Sequence, residues 1–474
     1  MKNNQILLKT IGLLSLIGGI ATVPCILCCR YYSDAVTFRA FLAAFSVYMI
    51  IGLVLFMPFA GRKINFKGNE SFVLVGTSWL FVSVMGSLPF IFAGYPIMDS
   101  IFESVAGFTT TAATVLGISS LSNAFIMWKA ILNWSGGMGM LLILFTLAPI
   151  LRIKTGSIST IEKNELTGPK VSAKYLDSAK GIYLIYLLFT VAEFTCLLIG
   201  HMTIFDALTN SLSGISTSGL YIRPQSADIF ESGYIKGVVT VFSILASCNF
   251  TMYFLVASGR AREAIRNVEL RTFLSIVFFS TLVVSFMILR RDGVQEMGGI
   301  LLDSVTQVVS FISTSGYLLA DVSSWPEMCK TILLFLLFIG GCTLSTTGSL
   351  KVTRIITIFK LIKRGIFKQI HPRATKAVVI GGKAMPAKQV SNITAHILLY
   401  ILIFFFGCVL LSFNNMSLEA TISASLGVFS NAGTYFNGSL VTNDFSILSG
   451  FSKAVCSMLM LFGKLELYSL LLLL

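Results

Sequence analysis

Long apolar runs separated by short polar turns dominate the pattern of this chain. Apolar stretches at 6–27, 43–59, 182–199, 273–289 and 397–411 approach or reach the roughly 20 residues that cross a bilayer as a helix. The pattern predicts spanning helices at 6–29, 37–60, 71–94, 122–150, 181–201, 233–257, 270–289, 328–364, 391–413 and 448–474. We therefore expect an all-α polytopic membrane protein.

A shorter segment with a polar end recurs between paired helices. Each copy begins at an acid and ends at a glycine or alanine, and the copies occupy 99–112, 206–219, 303–316 and 419–433. The segments are too short to span a bilayer. Irregular backbone is not tolerated against lipid, so we expect them to be re-entrant and covered by protein.

The four copies start about 100 residues apart, which is longer than the 20–50 residues of a solenoid unit. They predict two lead-in transmembrane helices followed by four helix–pore loop–helix repeats in a pseudo-fourfold arrangement around one pore. The expected divisions are 1–68 for the lead-in helices; 69–151 for repeat 1 with a turn at 109–112; 152–258 for a cytoplasmic loop and repeat 2 with a turn at 216–219; 259–366 for repeat 3 with a turn at 313–316 and a helix interruption at 340–349; and 367–474 for a cytoplasmic loop and repeat 4 with a turn at 430–433.

The charge pattern supports a membrane protein and sets its orientation. Only 12% of the residues are charged, against about a quarter in soluble domains. The net charge is +14, but the basic residues gather in loops at 62–67, 152–180, 260–271 and 351–388, whereas most acids lie in the alternate loops. By the positive-inside rule the basic loops and both termini are cytoplasmic, and a nucleic-acid partner is not expected.

The four turns have the composition of a cation filter. The short helices before them point their partially negative C-terminal ends into the membrane, and backbone carbonyls of four turns can replace the hydration shell of a cation. Glycine suits such turns because it adopts backbone angles that a Cβ disfavours. The candidate filter residues are Thr110, Thr111, Ala112, Thr217, Ser218, Gly219, Thr314, Ser315, Gly316, Asn431, Ala432 and Gly433.

The acid at the start of each segment has two interpretations that the sequence leaves open. Asp99, Asp206, Asp303 and Glu419 can cap the short helices and complement their dipoles. They can also form a weak cation-attracting ring at the outer mouth of the pore.

Two other classes of function fit the residues less well. An intramembrane enzyme needs clustered catalytic side chains, but His201, His371 and His396 fall at separate segment ends, so no catalytic residue or cofactor is expected in this chain. A proton-coupled secondary transporter is often built on inverted repeats, whereas the four acids here lie on one predicted side. No GxGxxG or P-loop motif occurs, so nucleotide control would require a partner.

Several motifs, in this order, resemble those of the TrkH/KtrB/HKT superfamily of cation transporters, closest to the TrkH branch. They are GFTTTAATV at 107–115, WSGGMG at 134–139, FDA at 205–207 leading to Gly219, ELR at 269–271, GCTLSTTGSLKV at 341–352, HPRA at 371–374, GGK at 381–383 and GKLE at 463–466. The resemblance implies a channel-like potassium uptake subunit of the cell (inner) membrane, with filter glycines at Gly219, Gly316 and Gly433 that bind K⁺. It also implies a homodimer and a cytosolic nucleotide-binding ring of the TrkA/KtrA kind, docked on the basic loops 152–180 and 351–388.

The first turn departs from the family pattern because Ala112 stands where glycine is usual. A left-handed conformation costs a non-glycine residue about 1–2 kcal/mol, and in the plant HKT branch a serine at this position accompanies sodium preference. Two alternatives follow: a sodium-preferring or poorly selective transporter, or a slightly tilted carbonyl at Ala112 with three glycines sufficing for potassium selectivity.

The interruption at 340–349 also has two interpretations. From its residues alone it is a helix kink in which Ser and Thr side chains satisfy freed backbone groups. The resemblance implies a flexible gate loop below the filter. The candidate gate residues are Gly340, Gly341, Thr343, Ser345, Thr346, Thr347 and Gly348.

Lys464 places a charge inside the last apolar helix, where charges are costly and usually functional. It can pair with Glu466 or extend to an interface. The family carries an arginine at this position facing the pore, so the resemblance implies a cationic barrier at Lys464.

Overall fold

A computed structural model describes residues 2–60, 70–117, 120–139, 174–221, 223, 227–292, 297–373, 377–438 and 440–465. The described chain is mainly helical, with two short antiparallel hairpins pairing Val379–Ile380 with Lys383–Ala384 and Tyr435–Asn437 with Leu440–Thr442. Its α-helices are Lys2–Tyr31, Ala35–Phe56, Glu70–Met85, Leu88–Phe92, Ile97–Phe108, Asn123–Gly137, Lys174–Ile199, Ile204–Ile215, Ala227–Glu231, Gly233–Ser247, Phe250–Ala257, Ala261–Ile265, Val268–Asp292, Met297–Ile312, Glu327–Ile339, Val352–Ile370, Ala387–Leu411, Leu418–Phe429 and Gly450–Lys464.

Several of these helices have the length and composition of membrane spans, which confirms a multi-pass helical membrane protein. Within the described ranges there are six such segments, or seven if one bent pair is counted as a span. They are Leu7–Tyr31, Ala35–Phe59, Val73–Phe92, Gly181–Ile199, Val268–Arg291 and Ala387–Asn414. Other predicted spans coincide with shorter or interrupted helices, and the predicted ends at 140–150 and 466–474 lie outside the described residues.

The two lead-in helices pack closely along glycine positions. A Cβ built on Gly12 would lie 2.6 Å from the backbone nitrogen of Phe56, and one on Gly52 would lie 2.6 Å from Leu16 Cδ2. Small residues allow such close backbone approach in membranes, where contact between helices depends on packing because lipid is as apolar as the side chains. The glycines therefore explain why these two helices form a tight pair.

Four short helices correspond to the predicted re-entrant segments, and we call them pore helices 1 to 4. They are Ile97–Phe108, Ile204–Ile215, Met297–Ile312 and Leu418–Phe429. Pore helices 1, 2 and 4 have 12 residues each, and pore helix 3 has 16. At 1.5 Å per residue these helices are about 18–24 Å long, less than the roughly 30 Å of a bilayer core. Each ends directly before one of the four predicted filter turns.

One helix that the sequence predicts as continuous is broken by a sharp bend in the structure. The sequence predicts a single helix over 233–257, but the chain bends by 91° between Gly233–Ser247 and Phe250–Ala257. The side chain of Asn249 accepts a hydrogen bond from the backbone nitrogen of Thr251 at 2.9 Å and so caps the second helix. Asparagine favours this capping role over a helix interior, which is why the helix stops there despite its apolar composition.

The predicted interruption near 340 is confirmed. Helix Glu327–Ile339 ends at Gly340, which has φ of 73°, and the next helix begins at Val352. The intervening residues, named here loop 340–351, are largely buried although many are polar. A buried polar segment needs internal hydrogen-bond partners, and the arrangement around the filter turns supplies them.

Candidate ion pathway

The four filter turns share one backbone geometry, which is set by the way the pore helices end. The second residue of each turn has a positive φ: 56° at Thr110, 55° at Thr217, 55° at Thr314 and 62° at Asn431. The next backbone nitrogen donates back five residues into the helix, as from Thr111 to the Ala106 oxygen at 2.8 Å. These are features of the Schellman termination, in which a left-handed residue closes a helix.

The same bonds recur in the other three turns. Backbone donors at Ser218, Ser315 and Ala432 reach helix carbonyls at 3.0, 3.0 and 2.9 Å. The left-handed conformation thus lies on a threonine or asparagine as well as on the glycine that follows two residues later.

The four turns contact one another in a closed ring. A Cβ built on Gly433 would lie 2.1 Å from the backbone nitrogen of Ala113, and one on Gly316 would lie 1.9 Å from the Ala432 oxygen. A Cβ on Gly219 would lie 2.7 Å from Ala112 Cβ and 3.3 Å from the Ser315 oxygen. Turns 4 and 1, 3 and 4, 2 and 1, and 2 and 3 are therefore neighbours. No side chain fits at the three glycines without moving an adjacent turn.

The strain predicted for Ala112 is wrong. Ala112 is not among the residues with positive φ, whereas Gly219, Gly316 and Gly433 are. Its methyl group lies close to two other turns: a Cβ built on Gly219 would be 2.7 Å from it, and one built on Gly316 would be 3.1 Å from it. The residue therefore differs from the glycines by the volume of a methyl group beside the ring, and not by backbone strain.

Three of the four acids form ion pairs with basic residues from elsewhere in the chain. Asp99 pairs with Lys453 at 2.6 Å, Asp206 with Arg223 at 2.7 Å, and Asp303 with Lys236 at 2.6 Å. These pairs offset the negative charge that an attracting ring would need.

Capping by the acids holds only in part. Asp99, Asp206 and Glu419 lie in the first turns of their helices, which suits the helix dipole, but the residues at the N-cap positions are Pro96, Thr203 and Ser417. Asp303 is the seventh residue of Met297–Ile312. Its predicted place at a helix start is wrong, because this pore helix begins at Met297, more than one and a half turns before the acid.

Loop 340–351 lies against three of the four filter turns. The Gly348 nitrogen donates to Thr314 Oγ1 at 2.9 Å, and Thr217 Oγ1 donates to Thr346 Oγ1 at 3.3 Å. A Cβ on Gly348 would lie 2.0 Å from the Ser430 oxygen. The side chains of two left-handed turn residues thus hold the loop directly, and the loop touches turns 2, 3 and 4.

Lys464 connects the loop to the remaining turn. Its Nζ donates to Thr110 Oγ1 at 2.6 Å and to the Thr346 oxygen at 2.5 Å. The alternative pairing with Glu466 concerns a residue outside the described part of the chain. Lys464 therefore lies where loop 340–351 and turn 1 meet.

Comparison with known proteins decides the family. The family model for the TrkH cation transport proteins matches residues 38–474, which is most of the chain. The chain belongs to the TrkH family. It is 31% identical to the Trk system potassium uptake protein TrkH of Salmonella typhimurium over 479 aligned residues, covering 98% of this chain and 97% of the relative. It is 30% identical to the protein of the same name from Escherichia coli K12, covering 98% and 97%.

A solved structure agrees with this assignment over the whole length. The crystal structure of the potassium transporter TrkH from Vibrio parahaemolyticus matches with a TM-score of 0.88 and 28% identity, covering 99% of this chain and 98% of that one. The fold predicted from the resemblance is therefore confirmed as that of a TrkH-family membrane protein.

A carboxylate that the sequence analysis did not assign anchors loop 340–351 in this TrkH-family chain. Glu269 accepts from the Thr343 nitrogen at 2.6 Å, from Thr343 Oγ1 at 2.9 Å and from Thr353 Oγ1 at 2.5 Å. It thus binds both ends of the interruption. The only signal in the sequence is its place in the motif ELR at 269–271.

A second set of residues missed by sequence reasoning lies inside the pore helices. Each pore helix carries a buried polar residue four positions after its acid: Glu103, Asn210, Gln307 and Ser423. Glu103 is fully buried and paired with Lys129. Aligning the four repeats on their acids would have revealed the shared position.

Glu193 is a further buried carboxyl, on helix Lys174–Ile199. A Cβ on Gly214 of pore helix 2 would lie 2.3 Å from Glu193 Oε1. Among the described residues neither carboxyl oxygen has a hydrogen-bond partner. The small size of Gly214 is what lets this side chain fit against the pore helix.

Proposed function

We propose that this chain is the membrane-spanning subunit of a Trk-type potassium uptake system and conducts K⁺ through the ring of four turns. The observation that carries the proposal is the closed ring itself, in which each turn contacts both neighbours through glycine or Ala112. Backbone carbonyls at such a ring can replace the water around a cation. The relatives named potassium uptake proteins make K⁺ the proposed ion.

In this proposal each turn contributes the residues predicted from the sequence. They are 110–112, 217–219, 314–316 and 431–433. The argument for relaxed selectivity from strain at Ala112 no longer applies, since its φ is not positive. This removes the main reason for a sodium-preferring alternative.

Loop 340–351 acts as the gate, and Lys464 as a positive charge on its filter side. Support comes from the hydrogen bonds between the loop and the side chains of Thr217 and Thr314, together with those of Lys464 to Thr110 and Thr346. In this proposal the loop has two states: hydrogen-bonded to the filter turns, or released from them. Release of these bonds opens the path.

The proposed assembly is a homodimer in the inner membrane with cytoplasmic termini and a TrkA/KtrA-like ring on its cytoplasmic side. The basic helix Val352–Ile370 supports this docking face, because it also exposes the apolar side chains of Phe359, Ile362, Ile366 and Ile370. Nucleotide control would come from that ring. Cross-linking of the purified chain, alone and with such a ring, tests the assembly.

The test of conduction is ion flux into liposomes that contain the purified chain, with K⁺ and Na⁺ gradients compared. Gly316→Ala should abolish selective K⁺ flux, since its Cβ would lie 1.9 Å from the Ala432 oxygen and its φ is 68°. Gly237→Ala is the matched control, because a Cβ there meets nothing within 4 Å. Equal flux and selectivity in both variants and the native chain would refute the filter assignment.

A further inference from the structure

A polar side chain at the same position in each pore helix reaches the segment that leaves the filter turn, and this segment is called the strand here. These are the residues four positions after each acid, named here the strand holders: Glu103, Asn210, Gln307 and Ser423. All four are at most 1% exposed. A buried polar group in a pore helix needs a specific partner, and the four have partners of the same kind.

Each strand holder accepts hydrogen bonds from backbone nitrogens just beyond its filter turn. Asn210 Oδ1 accepts from the Tyr221 nitrogen at 2.7 Å, and Ser423 Oγ accepts from the Phe436 nitrogen at 2.9 Å.

Gln307 reaches the third turn in the same way. With its amide oxygen facing the donors, it accepts from the Leu319 and Ala320 nitrogens at 2.7 and 2.9 Å. Outside the hairpin that contains Phe436, the segments leaving the filter turns are irregular, and the pore helices satisfy the backbone donors named above.

The first repeat uses a charged version of this contact. Glu103 Oε1 accepts from the backbone nitrogens of Val115 and Leu116, both at 2.8 Å, and from Thr114 Oγ1 at 2.6 Å. Its other oxygen contacts Lys129 Nζ, and the two side chains are 0% and 6% exposed. Hydrogen bonds to a charged acceptor are roughly twice as strong as neutral ones, so strand 1 is the most firmly held of the four.

Strand 1 also joins the first turn to the fourth repeat. The Thr114 nitrogen donates to the Asn443 oxygen at 3.0 Å, and the Phe445 nitrogen donates to the Thr114 oxygen at 2.7 Å. Glu103 therefore fixes the residue through which two walls of the ring meet, in the one repeat where alanine replaces the filter glycine.

We propose that the strand holders are positioning residues for ion selectivity, and that the buried Glu103–Lys129 pair sets the place of the first wall. The proposal rests on the function proposed above, since it concerns the same ring. Moving a strand by the loss of its holder shifts the carbonyls of the turn before it. Ion discrimination depends on those positions, whereas folding depends on the helices around them.

The first test uses Glu103→Leu and the double variant Glu103→Leu, Lys129→Met in liposomes. The single change removes the acceptor for the Val115 and Leu116 nitrogens and leaves Lys129 without its counter-charge. We expect the preference for K⁺ over Na⁺ to fall about tenfold. The double change removes the unpaired charge and should recover folding stability but not the native preference. A native preference in a folded single or double variant would overturn the proposal.

The second test avoids a buried charge and covers the case in which the Glu103 variants do not fold. Ser423→Ala removes the acceptor for the Phe436 nitrogen, while Ser423→Thr keeps an oxygen at that position. The proposal expects a reduced preference for K⁺ in the alanine variant and rescue by threonine, at equal thermal unfolding temperatures. Equal preferences in both would overturn it. A native chain that is folded but conducts no K⁺ would instead refute the underlying function.

Discussion

The double hydrogen bond of Lys464 leads to a prediction about the resting state of the pathway. Lys464 Nζ joins Thr110 of turn 1 to the Thr346 oxygen of loop 340–351. Replacing this lysine with methionine keeps a long apolar side chain of similar reach but removes both donors and the charge. The loop should then be released more often, and K⁺ flux without any partner should rise.

The size of the effect follows from the two contacts. A hydrogen bond to a charged group contributes about 1.5–3 kcal/mol. If water replaces one of the two bonds, the net loss from the closed state is about 1.5–3 kcal/mol, and each 1.4 kcal/mol changes the ratio of open to closed states tenfold. Flux should therefore rise by about tenfold to a hundredfold while the closed state predominates. Removing a positive charge beside the filter acts in the same direction for a cation.

The assay is K⁺ uptake by liposomes containing equal amounts of folded chain. Lys453→Met is a matched control on the same helix, because Lys453 pairs with Asp99 and not with the loop. Lys464→Arg retains the charge and should stay near the native flux. Unchanged or lower flux in Lys464→Met, with the control at the native level, would refute the role of Lys464 as a brace of the closed loop.

The remaining predictions concern three other side chains. Glu269→Gln weakens the anchor of loop 340–351, so unstimulated K⁺ flux should rise severalfold; a native flux would contradict this. Ala112→Gly removes a methyl group without relieving strain, so the thermal unfolding temperature should not increase, and an increase would show that strain was present. Glu193→Gln replaces a buried acid that lacks partners among the described residues with a neutral group of the same shape, so its unfolding temperature should equal or exceed that of the native chain, and a clear decrease would reveal an ionised partner.

The sequence predicts the positions of the pore helices well because independent signals coincide at each. A length too short to span and a polar turn at the end recur in all four copies, and an acid lies in the first turn of all but the third helix. The structure confirms that the helices end at Phe108, Ile215, Ile312 and Phe429. The prediction is reliable because the same pattern occurs four times, whereas a single polar turn would have several interpretations.

The conformation at Ala112 could not be predicted from the same pattern. Sequence reasoning assigned the left-handed angle to the last residue of the turn, where three glycines stand. The helix-ending geometry places a left-handed residue two positions earlier as well, on Thr110 and its equivalents. Threonine rarely adopts a left-handed conformation, so the presence of threonine at these positions does not predict it.

Contacts between distant parts of the chain also could not be predicted from the sequence. The pairs Asp99–Lys453 and Glu103–Lys129 depend on which helices lie side by side, and a single sequence on its own does not contain that information. Asn249 is different, since a lone asparagine within an apolar helix is a recognisable stop signal.

The bend at Cys248–Asn249 has a mechanical consequence. The helix after it, Phe250–Ala257, begins by donating from the Phe250 nitrogen to the Leu344 oxygen of loop 340–351 at 3.2 Å. The next long helix carries Glu269, which binds the same loop at Thr343. Both attachment points therefore flank one short basic stretch at 258–267. Displacing that stretch therefore moves both attachments of the loop together, because Glu269 lies two residues beyond it and Phe250 lies at the far end of the short helix Phe250–Ala257 that precedes it.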